Sequence, residues 1–144
     1  MQSFPHHYQV TATGHAAGIL AVSSPGLPGI EAAPPAEFDG PGDAWSPETL
    51  MMSAVASCFV LSFRAVAAAS KFDWVSISCR SEGTLDRVER VTRFTEVINH
   101  IALVVPAGTD QERAQKMLEK SESVCLVSNS LSATVHLVAE IVEG

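Results

Sequence analysis

The sequence predicts an α+β fold in one domain that spans residues 1–144, with a mainly antiparallel sheet and a long central helix. In several segments apolar and polar residues alternate with a period of two, which is typical of strands, whereas two other segments suit helices. The stretch from Leu50 to Ala69 is apolar without a polar face, as expected of a helix that protein covers on every side. A chain of 144 residues suits one domain and needs no disulfide or metal to be stable.

The N-terminal third predicts short strands and a long loop. Residues Tyr8 to Leu20 alternate loosely around Gly14 and Gly18 and predict a hairpin. The segment from Ser23 to Gly42 contains most of the prolines, so we expect a loop that can include a short strand near Ile30.

The central helix is predicted to begin at Ser46-Pro47-Glu48. Ser46 can cap the helix, proline suits the first helical position, and Glu48 complements the positive end of the helix dipole. Nothing interrupts the pattern until about Ser70. The apolar segment is about as long as a membrane span of ~20 residues. Its many Ala and Ser residues and Arg64 favour a helix inside a protein, and we expect no membrane partner.

Four further elements complete the predicted fold. Strands are expected over Trp74–Leu85 and Thr92–Val105, followed by a helix over Asp110–Val124 and a last strand over Ala133–Val142. Each of these segments has one apolar face. The order of strands, long helix, two strands, helix and strand therefore predicts an α+β arrangement.

Composition limits the partners. Charged residues make up 17% of the chain, which is low for a monomer, so we expect a second copy to cover part of the apolar surface. The net charge of −7 and the lack of a basic patch argue against nucleic acid. The three cysteines are far apart and no signal peptide is evident, so we expect a cytoplasmic protein with reduced thiols.

The sequence has no pattern for a metal or an organic cofactor, and we expect neither. Its five histidines and three cysteines include no Cys-x-x-Cys or His-x-x-x-His spacing. The chain also lacks a glycine-rich phosphate loop and a Gly-x-Ser-x-Gly nucleophile motif.

Cys58 and Cys125 are the candidates for thiol chemistry. Cys58 lies in the middle of the apolar helix, and Cys125 follows the second predicted helix. Taken singly, each is better explained as a small core residue. Cys79 shares a strand face with Val75 and Ile77, and core packing is much the better explanation for it.

Three segments of the sequence are more informative together than singly. They are Ser-Pro-Glu-Thr-Leu-Met-Met-Ser-Ala-Val-Ala-Ser-Cys-Phe ending at Phe59, Glu-Gly-Thr-Leu-Asp-Arg beginning at Glu82, and Glu-Ser-Val-Cys-Leu-Val-Ser-Asn-Ser-Leu beginning at Glu122. Together they resemble the OsmC/Ohr family of thiol peroxidases, named for osmotically inducible protein C and the organic hydroperoxide resistance proteins. The resemblance covers the chain from about Gly40 to Glu140.

The resemblance implies an OsmC-like fold in an intertwined homodimer with two active sites at the interface. It implies that Cys58 is the peroxidatic thiolate and that Cys125 is the resolving thiol. Glu48 matches the acidic residue that orients an active-site arginine in the family. Glu48 lies ten residues before Cys58, which is ~15 Å along a continuous helix. If both belong to one site, Glu48 must therefore come from the partner subunit.

The chain departs from the family pattern at two places. No arginine or lysine precedes Arg64, whereas family peroxidases carry an N-terminal arginine that lowers the thiolate pKa. Arg64 is about 240° around the helix and ~9 Å along it from Cys58, so it points away. Without a cation, we expect burial to raise the pKa of Cys58. The second departure is Leu126, where a proline often follows the resolving cysteine.

Several residues could replace the missing arginine. His15, in the predicted N-terminal hairpin and protonated with the help of Glu48, is the first choice, although it is equally well explained as an exposed turn histidine. The other candidates are the pair His6-His7 and the arginines between the two middle strands, which are Arg87, Arg90 and Arg93.

Two functions from different classes follow. The first is a peroxidase that reduces organic hydroperoxides with Cys58 and Cys125 and needs an external dithiol, with Met51, Met52 and Phe59 lining an apolar substrate pocket. The second is a family member that has lost efficient activity and binds a small apolar or electrophilic ligand at the dimer interface. In either case we expect that Cys58 and Cys125 can form a disulfide that excludes Cys79.

Overall fold

The computed structural model describes all 144 residues and divides them into two compact units, Met1–Leu50 and Met51–Gly144. Each unit has its own three-stranded sheet. The single domain over the whole chain stays a prediction.

The first unit is built on a short antiparallel sheet in the order β1-β2-β3. Its strands are β1 (Thr11–Thr13), β2 (Leu20–Ser23) and β3 (Ile30–Ala32), followed by a 3-10 helix over Ala36–Phe38. The expected hairpin is present, but it extends further than predicted. Its second strand begins at Leu20, the residue at which the whole hairpin was expected to end. The short strand expected near Ile30 is β3. A glycine is required at Gly40, because a Cβ there would lie 1.7 Å from the Pro34 carbonyl oxygen.

The long helix α1 spans Pro47–Ala69. Its start is fixed by reciprocal hydrogen bonds: the Thr49 N–H donates to Ser46 Oγ at 3.1 Å, and the Ser46 N–H donates to Thr49 Oγ1 at 2.9 Å. Pro47 occupies the first helical position, where its missing N–H costs nothing. The predicted start at Ser46-Pro47 is therefore confirmed.

Within one chain α1 is covered on one face only. Its buried residues recur every four positions and are Val55, Phe59, Phe63 and Ala67. By length and composition alone the helix could cross a membrane, but only 22% of its most apolar 18-residue window is buried. Leu61, on the uncovered side, is 57% exposed. The prediction of a helix covered on every side is therefore not met by a single chain.

The second unit places α1 against a mixed sheet in the order β4-β5-β6. Strand β4 (Ser76–Val88) pairs antiparallel with β5 (Val91–Val105), and β5 pairs in parallel with β6 (Thr134–Glu143). The crossover from β5 to β6 contains α2 (Gln111–Val124) and the single turn α3 (Leu126–Asn129). The α+β class is confirmed, with antiparallel pairing in every strand pair but the last.

The core of the second unit consists of two apolar clusters. The larger cluster comprises Phe59, Phe63, Ala67, Phe72, Ile101, Leu103, Val105, Ala114 and Leu118. The smaller comprises Val55, Val97 and Ala133, with Met52, Phe94, Val127, Leu131 and Val135 packed against it. Between them on β5 lies the buried Asn99, whose Oδ1 accepts a hydrogen bond from Ser81 Oγ at 2.5 Å.

One predicted strand face needs a correction. Ile77 and Cys79 pack against the larger cluster as expected. Val75 precedes β4 and is 56% exposed, so it does not pack in the core with them.

The intertwined homodimer stays a prediction.

Candidate active site

The tertiary structure brings Cys58 of α1 close to Cys125 at the end of α2. Cys58 lies in the middle of α1, one position before the buried Phe59 and therefore at the edge of the face that packs on the sheet. Cys125 adopts an extended conformation with ψ of 104°, which ends α2 and starts α3. The two thiols lie within hydrogen-bonding reach of each other, and all three cysteines are free.

The environment of Cys58 favours its thiolate. Burial raises the pKa of this half-buried thiol, but four donors outweigh burial and hold the pKa below the ordinary value of a free cysteine. In order of effect they are the Val127 N–H, the Cys125 thiol, the Ser62 hydroxyl and the Leu126 N–H. Ser62 lies one helical turn after Cys58, with its Oγ 4.0 Å from the Cys58 sulfur.

The environment of Cys125 has the opposite effect. Its side chain is 0% exposed, and burial raises the pKa of its thiol. The hydroxyl and the N–H of Ser128 lower the pKa by less, and the neighbouring Cys58 raises it further. The pair is therefore asymmetric: Cys58 loses its proton first, while Cys125 keeps its own and donates it to the Cys58 sulfur.

This asymmetry overturns the expectation that the pKa of Cys58 is raised. No side-chain cation contributes to the shift, which comes from hydrogen-bond donors alone. Its donors include two main-chain N–H groups at the start of α3, which have no carbonyl partner within so short a helix. No side-chain motif encodes them, and no helix after Cys125, which would have indicated free N–H groups there, was predicted from the sequence.

The structure places Glu48 in the first turn of α1, ten residues before Cys58. A continuous helix separates the two by about 15 Å, so Glu48 and Cys58 of one chain do not meet. The Glu48 Oε1 atom is buried and has no hydrogen-bond partner within the chain. His15 lies in the first unit, exposed between β1 and β2, where it lines a cavity of about 820 Å³ formed by residues of that unit.

The three residues expected to line a substrate pocket have different positions. Met51 is on the surface and 39% exposed. Met52 packs against the smaller apolar cluster, with its sulfur above Gly83, where a Cβ would come within 2.7 Å of it. Phe59 is 0% exposed in the larger cluster, so it supports the helix that carries Cys58 rather than an open surface. Their part in substrate binding stays a prediction.

Arg64 of α1 and Cys79 of β4 lie beside a cavity that Cys58 does not line. Both line a cavity of about 410 Å³ with Ala56, Ser57, Val60 and Leu61, and Cys58 does not. The Cys79 sulfur lies 3.7 Å from Ser81 Oγ, and burial raises the pKa of Cys79. Arg64 is thus directed away from Cys58, as the helical geometry predicted.

The other candidate cations lie outside the apolar core. Arg87, Arg90 and Arg93 are exposed near the turn that joins β4 to β5. His6 and His7 precede β1 in the first unit. Which of them, if any, acts with Cys58 stays a prediction.

Cys58 and Cys125 form a pair of neighbouring thiols, one half-buried with a lowered pKa and the other fully buried with a raised pKa. In a redox pair of this kind the more acidic sulfur acts as the nucleophile, and the second sulfur attacks it once it is oxidised. No cluster of three or more side chains that could hold a metal ion is present. The arrangement is that of a two-cysteine site within an α+β fold, and its redox role stays a prediction.

Comparison with known proteins gives the family. The model of the family described as OsmC-like protein matches residues 40–140. The chain therefore belongs to the OsmC family, over the same residues for which the sequence suggested the resemblance.

Individual relatives agree with this assignment. The chain is 27% identical over 109 residues to the uncharacterized protein YmaD of Bacillus subtilis, which is 74% of this chain and 73% of YmaD. It is 29% identical over 131 residues to an organic hydroperoxide resistance protein of Xanthomonas axonopodis pv. citri, covering 88% of this chain and 87% of that protein. The structure of an OsmC-like protein of unknown function from Vibrio cholerae superposes with a TM-score of 0.86 at 18% identity, over 94% of this chain and 100% of that one. This last match supports the fold alone.

Proposed function

We propose that this protein is a cytoplasmic thiol peroxidase that reduces organic hydroperoxides with Cys58 and Cys125. The observation that supports it most is the asymmetry of the thiol pair, in which Cys58 is the more acidic member and Cys125 lies close enough to affect its pKa. A peroxidatic cysteine must be a thiolate at neutral pH, and a resolving cysteine must lie beside it. The family includes organic hydroperoxide resistance proteins.

The proposed reaction uses thiols only. The Cys58 thiolate attacks the distal oxygen of the hydroperoxide, the O–O bond breaks, and the departing alkoxide takes a proton to give the alcohol. Cys58 is then a sulfenic acid. The Cys125 thiol gives up its proton and its sulfur attacks the Cys58 sulfur, the S–O bond breaks, and the departing hydroxide takes a proton to become water. An external dithiol then reduces the resulting disulfide and is itself oxidised.

The surroundings of the thiol favour organic over inorganic peroxide. Val127 provides an N–H to Cys58 and also packs against the smaller apolar cluster, which includes Met52 at its edge. An alkyl or aryl group of the substrate would bury apolar area on this side of the thiol, and each buried CH₂ stabilises binding by about 0.8 kcal/mol. Hydrogen peroxide has no such group.

The uncovered face of α1 supports a homodimer. The chain has only 17% charged residues, and α1 exposes apolar side chains along the face that the sheet does not cover. We propose that a second copy covers this face and that the partner subunit's Glu48 completes the site at Cys58. A buried carboxylate oxygen without a hydrogen-bond partner in its own chain is consistent with a partner in the other subunit.

A steady-state assay with a mass-spectrometric readout tests the proposal. The wild type should consume cumene hydroperoxide faster than hydrogen peroxide in the presence of a dithiol, and Cys58→Ser should abolish consumption. Cys125→Ser should allow one turnover and stop at the sulfenic acid. Cys79→Ser is the matched control, and it should retain both the activity and a disulfide between Cys58 and Cys125. Consumption that survives Cys58→Ser, or a disulfide that includes Cys79, would contradict the proposal.

The absence of any arginine or lysine before Arg64 favours the second candidate function. A family member without that cation is a weaker peroxidase and can serve as a binding protein for a small apolar or electrophilic ligand at the dimer interface. The same assay separates the two functions. If wild type, His15→Ala and Cys58→Ser are equally inactive, ligand binding is the function that remains.

A further inference from the structure

A polar cavity in the second unit is lined by residues of α2, α3 and β6. It has a volume of about 470 Å³, and its polar lining is formed by Glu119, Glu122, Ser123, Ser128 and Asn129. Two of these side chains have buried atoms without a hydrogen-bond partner, namely Ser128 Oγ and Glu122 Oε1. Ser128 is 7% exposed. Buried polar groups in proteins normally have partners, so two such atoms in one cavity need an explanation.

Ser128 connects this cavity with the thiol pair. Cys125 is the N-cap residue of α3 and Ser128 occupies the third helical position, which places its hydroxyl and its N–H beside the Cys125 sulfur. The hydroxyl does not make a well-formed hydrogen bond in this arrangement. It remains free to accept a proton from the thiol and to donate its own proton into the cavity.

Glu122 supplies an acceptor in the same cavity. It lies in the last turn of α2, where its carbonyl oxygen accepts the Cys125 N–H at 3.3 Å. Burial raises the pKa of its carboxyl group, His136 on β6 lowers it, and Glu119 one turn earlier raises it. The net rise brings its proton affinity closer to that of a thiol, as suits a general base. Cys125 and Cys58 are the other titratable groups on this side of the cavity.

We propose that Ser128 and Glu122 form a proton relay that deprotonates Cys125 when it attacks the oxidised Cys58. The relay rests on the proposed function, because it serves the resolving step of that reaction. Cys125 has a buried thiol with no other route to a base, whereas Cys58 needs none. Ser128 contacts the reacting sulfur, and Glu122 acts through it as a positioning residue.

The proton and the electron pair balance at each step. As the Cys125 S–H bond breaks, its proton passes to Ser128 Oγ, and the Ser128 proton passes to Glu122 Oε1 through a water that the cavity has room to hold. The freed electron pair of the Cys125 sulfur forms the bond to the Cys58 sulfur, and the leaving group departs with the old bonding pair. When an external thiolate later attacks the more accessible Cys58, Cys125 leaves as a thiolate and regains the proton by the reverse path.

The test isolates the attack by Cys125 from peroxide chemistry. In a Cys79→Ser background, Ellman's reagent should release one thionitrobenzoate when Cys58 reacts and a second when Cys125 displaces the mixed disulfide. Glu122→Gln and Ser128→Ala should each slow the second release by about tenfold or more, because general base catalysis typically contributes about 10²–10⁴-fold. The first release should be unchanged. Glu112→Gln, at the exposed start of the same helix, is the matched control.

The pH profile separates a relay from a structural role. In the wild type the second release should accelerate as pH rises through the pKa of Glu122, because only the carboxylate accepts a proton. Glu122→Gln should lack this rising limb of the pH profile. Glu119→Gln should move the limb to lower pH, since it removes the repulsion that raises the pKa of Glu122, without lowering the plateau.

Three results would overturn the relay. They are a second release that is as fast in Glu122→Gln as in Glu112→Gln, a wild-type rate in Ser128→Ala, or an unchanged pH limb in Glu122→Gln. Failure of the proposed function gives a different pattern. In that case the second release with Ellman's reagent still depends on Glu122, but one equivalent of cumene hydroperoxide does not oxidise Cys58. A wild type with no second release at all would overturn both.

Discussion

At the scale of single residues, Cys58 shows how a thiol in an apolar helix becomes acidic without a neighbouring cation. Burial alone raises its pKa, and the donors on the α3 side and on α1 reverse that effect. Hydrogen bonds to a charged acceptor contribute more than those between neutral groups, about 1.5–3 kcal/mol each. Two fixed N–H groups, a thiol and a hydroxyl therefore suffice to offset partial desolvation.

Replacement of Leu126 by proline tests the main-chain part of this explanation. Leu126→Pro removes one N–H that stabilises the Cys58 thiolate, and proline suits both the first helical position and the extended Cys125 before it. We expect a higher pKa for Cys58 and, at pH 7, alkylation slower by about tenfold or more, because a hydrogen bond to a charged acceptor contributes about 1.5–3 kcal/mol. Leu126→Ala keeps the N–H and is the matched control. Equal rates in the two variants would show that this N–H has no effect.

The candidate site could be predicted from the sequence only in part. The pairing of Cys58 with Cys125 followed from the resemblance to a family, since two cysteines 67 positions apart in a chain do not indicate contact by spacing. The N–H groups of Leu126 and Val127 were missed because every non-proline residue has one. Only the tertiary fold determines which of them face a thiol.

At the scale of elements, helix α1 was the most predictable part, although a single chain covers only one of its faces. Its start at Ser46 and Pro47 followed from local capping chemistry, which needs no tertiary information. The parallel pairing of β5 with β6 could not be predicted, because alternation along a strand identifies a face but not a neighbour. The uncovered face of α1 likewise concerns a partner that a single chain does not contain.

A charge on the uncovered face of α1 tests whether a second copy lies there. Leu61 is 57% exposed in the single chain. Leu61→Asp should convert a dimer to a monomer at low micromolar concentration, because an unpaired charge buried in an interface costs about 3–5 kcal/mol. Sedimentation velocity measures the mass. Leu27→Asp, at a leucine of the first unit that is 66% exposed, should remain dimeric. A wild type that is already a stable monomer would contradict the dimer itself.

At the scale of the whole molecule, the proposed active site combines residues of two chains, because of the geometry of α1. About 15 Å of continuous helix separates Glu48 from Cys58, so a carboxylate that acts at the thiol must belong to the other subunit. A two-fold axis would then create two equivalent sites, each with the thiol pair of one chain and the Glu48 of its partner.

Mixed dimers test this arrangement. Glu48→Gln alone and Cys58→Ser alone should each be impaired. A heterodimer of the two variants should have one intact site and about half the activity of the wild-type dimer, because each of its two sites combines residues of different chains. Purification with two different affinity tags isolates it. If the heterodimer is no more active than the two parent dimers, Glu48 does not act across the interface.

The acidity of Cys58 relative to Cys79 within the same molecule tests the central claim most directly. The rate of alkylation by iodoacetamide, followed site by site by mass spectrometry between pH 5 and pH 10, gives both titrations in one experiment. The structure predicts that the pKa of Cys58 is below the ordinary value of a free thiol, because hydrogen bonds stabilise its thiolate, and that the pKa of Cys79 is above it, because burial opposes charge. Alkylation of Cys58 should therefore reach its plateau at a lower pH. A Cys58 that titrates together with Cys79, or above the value of a free thiol, would contradict its role as the peroxidatic thiolate.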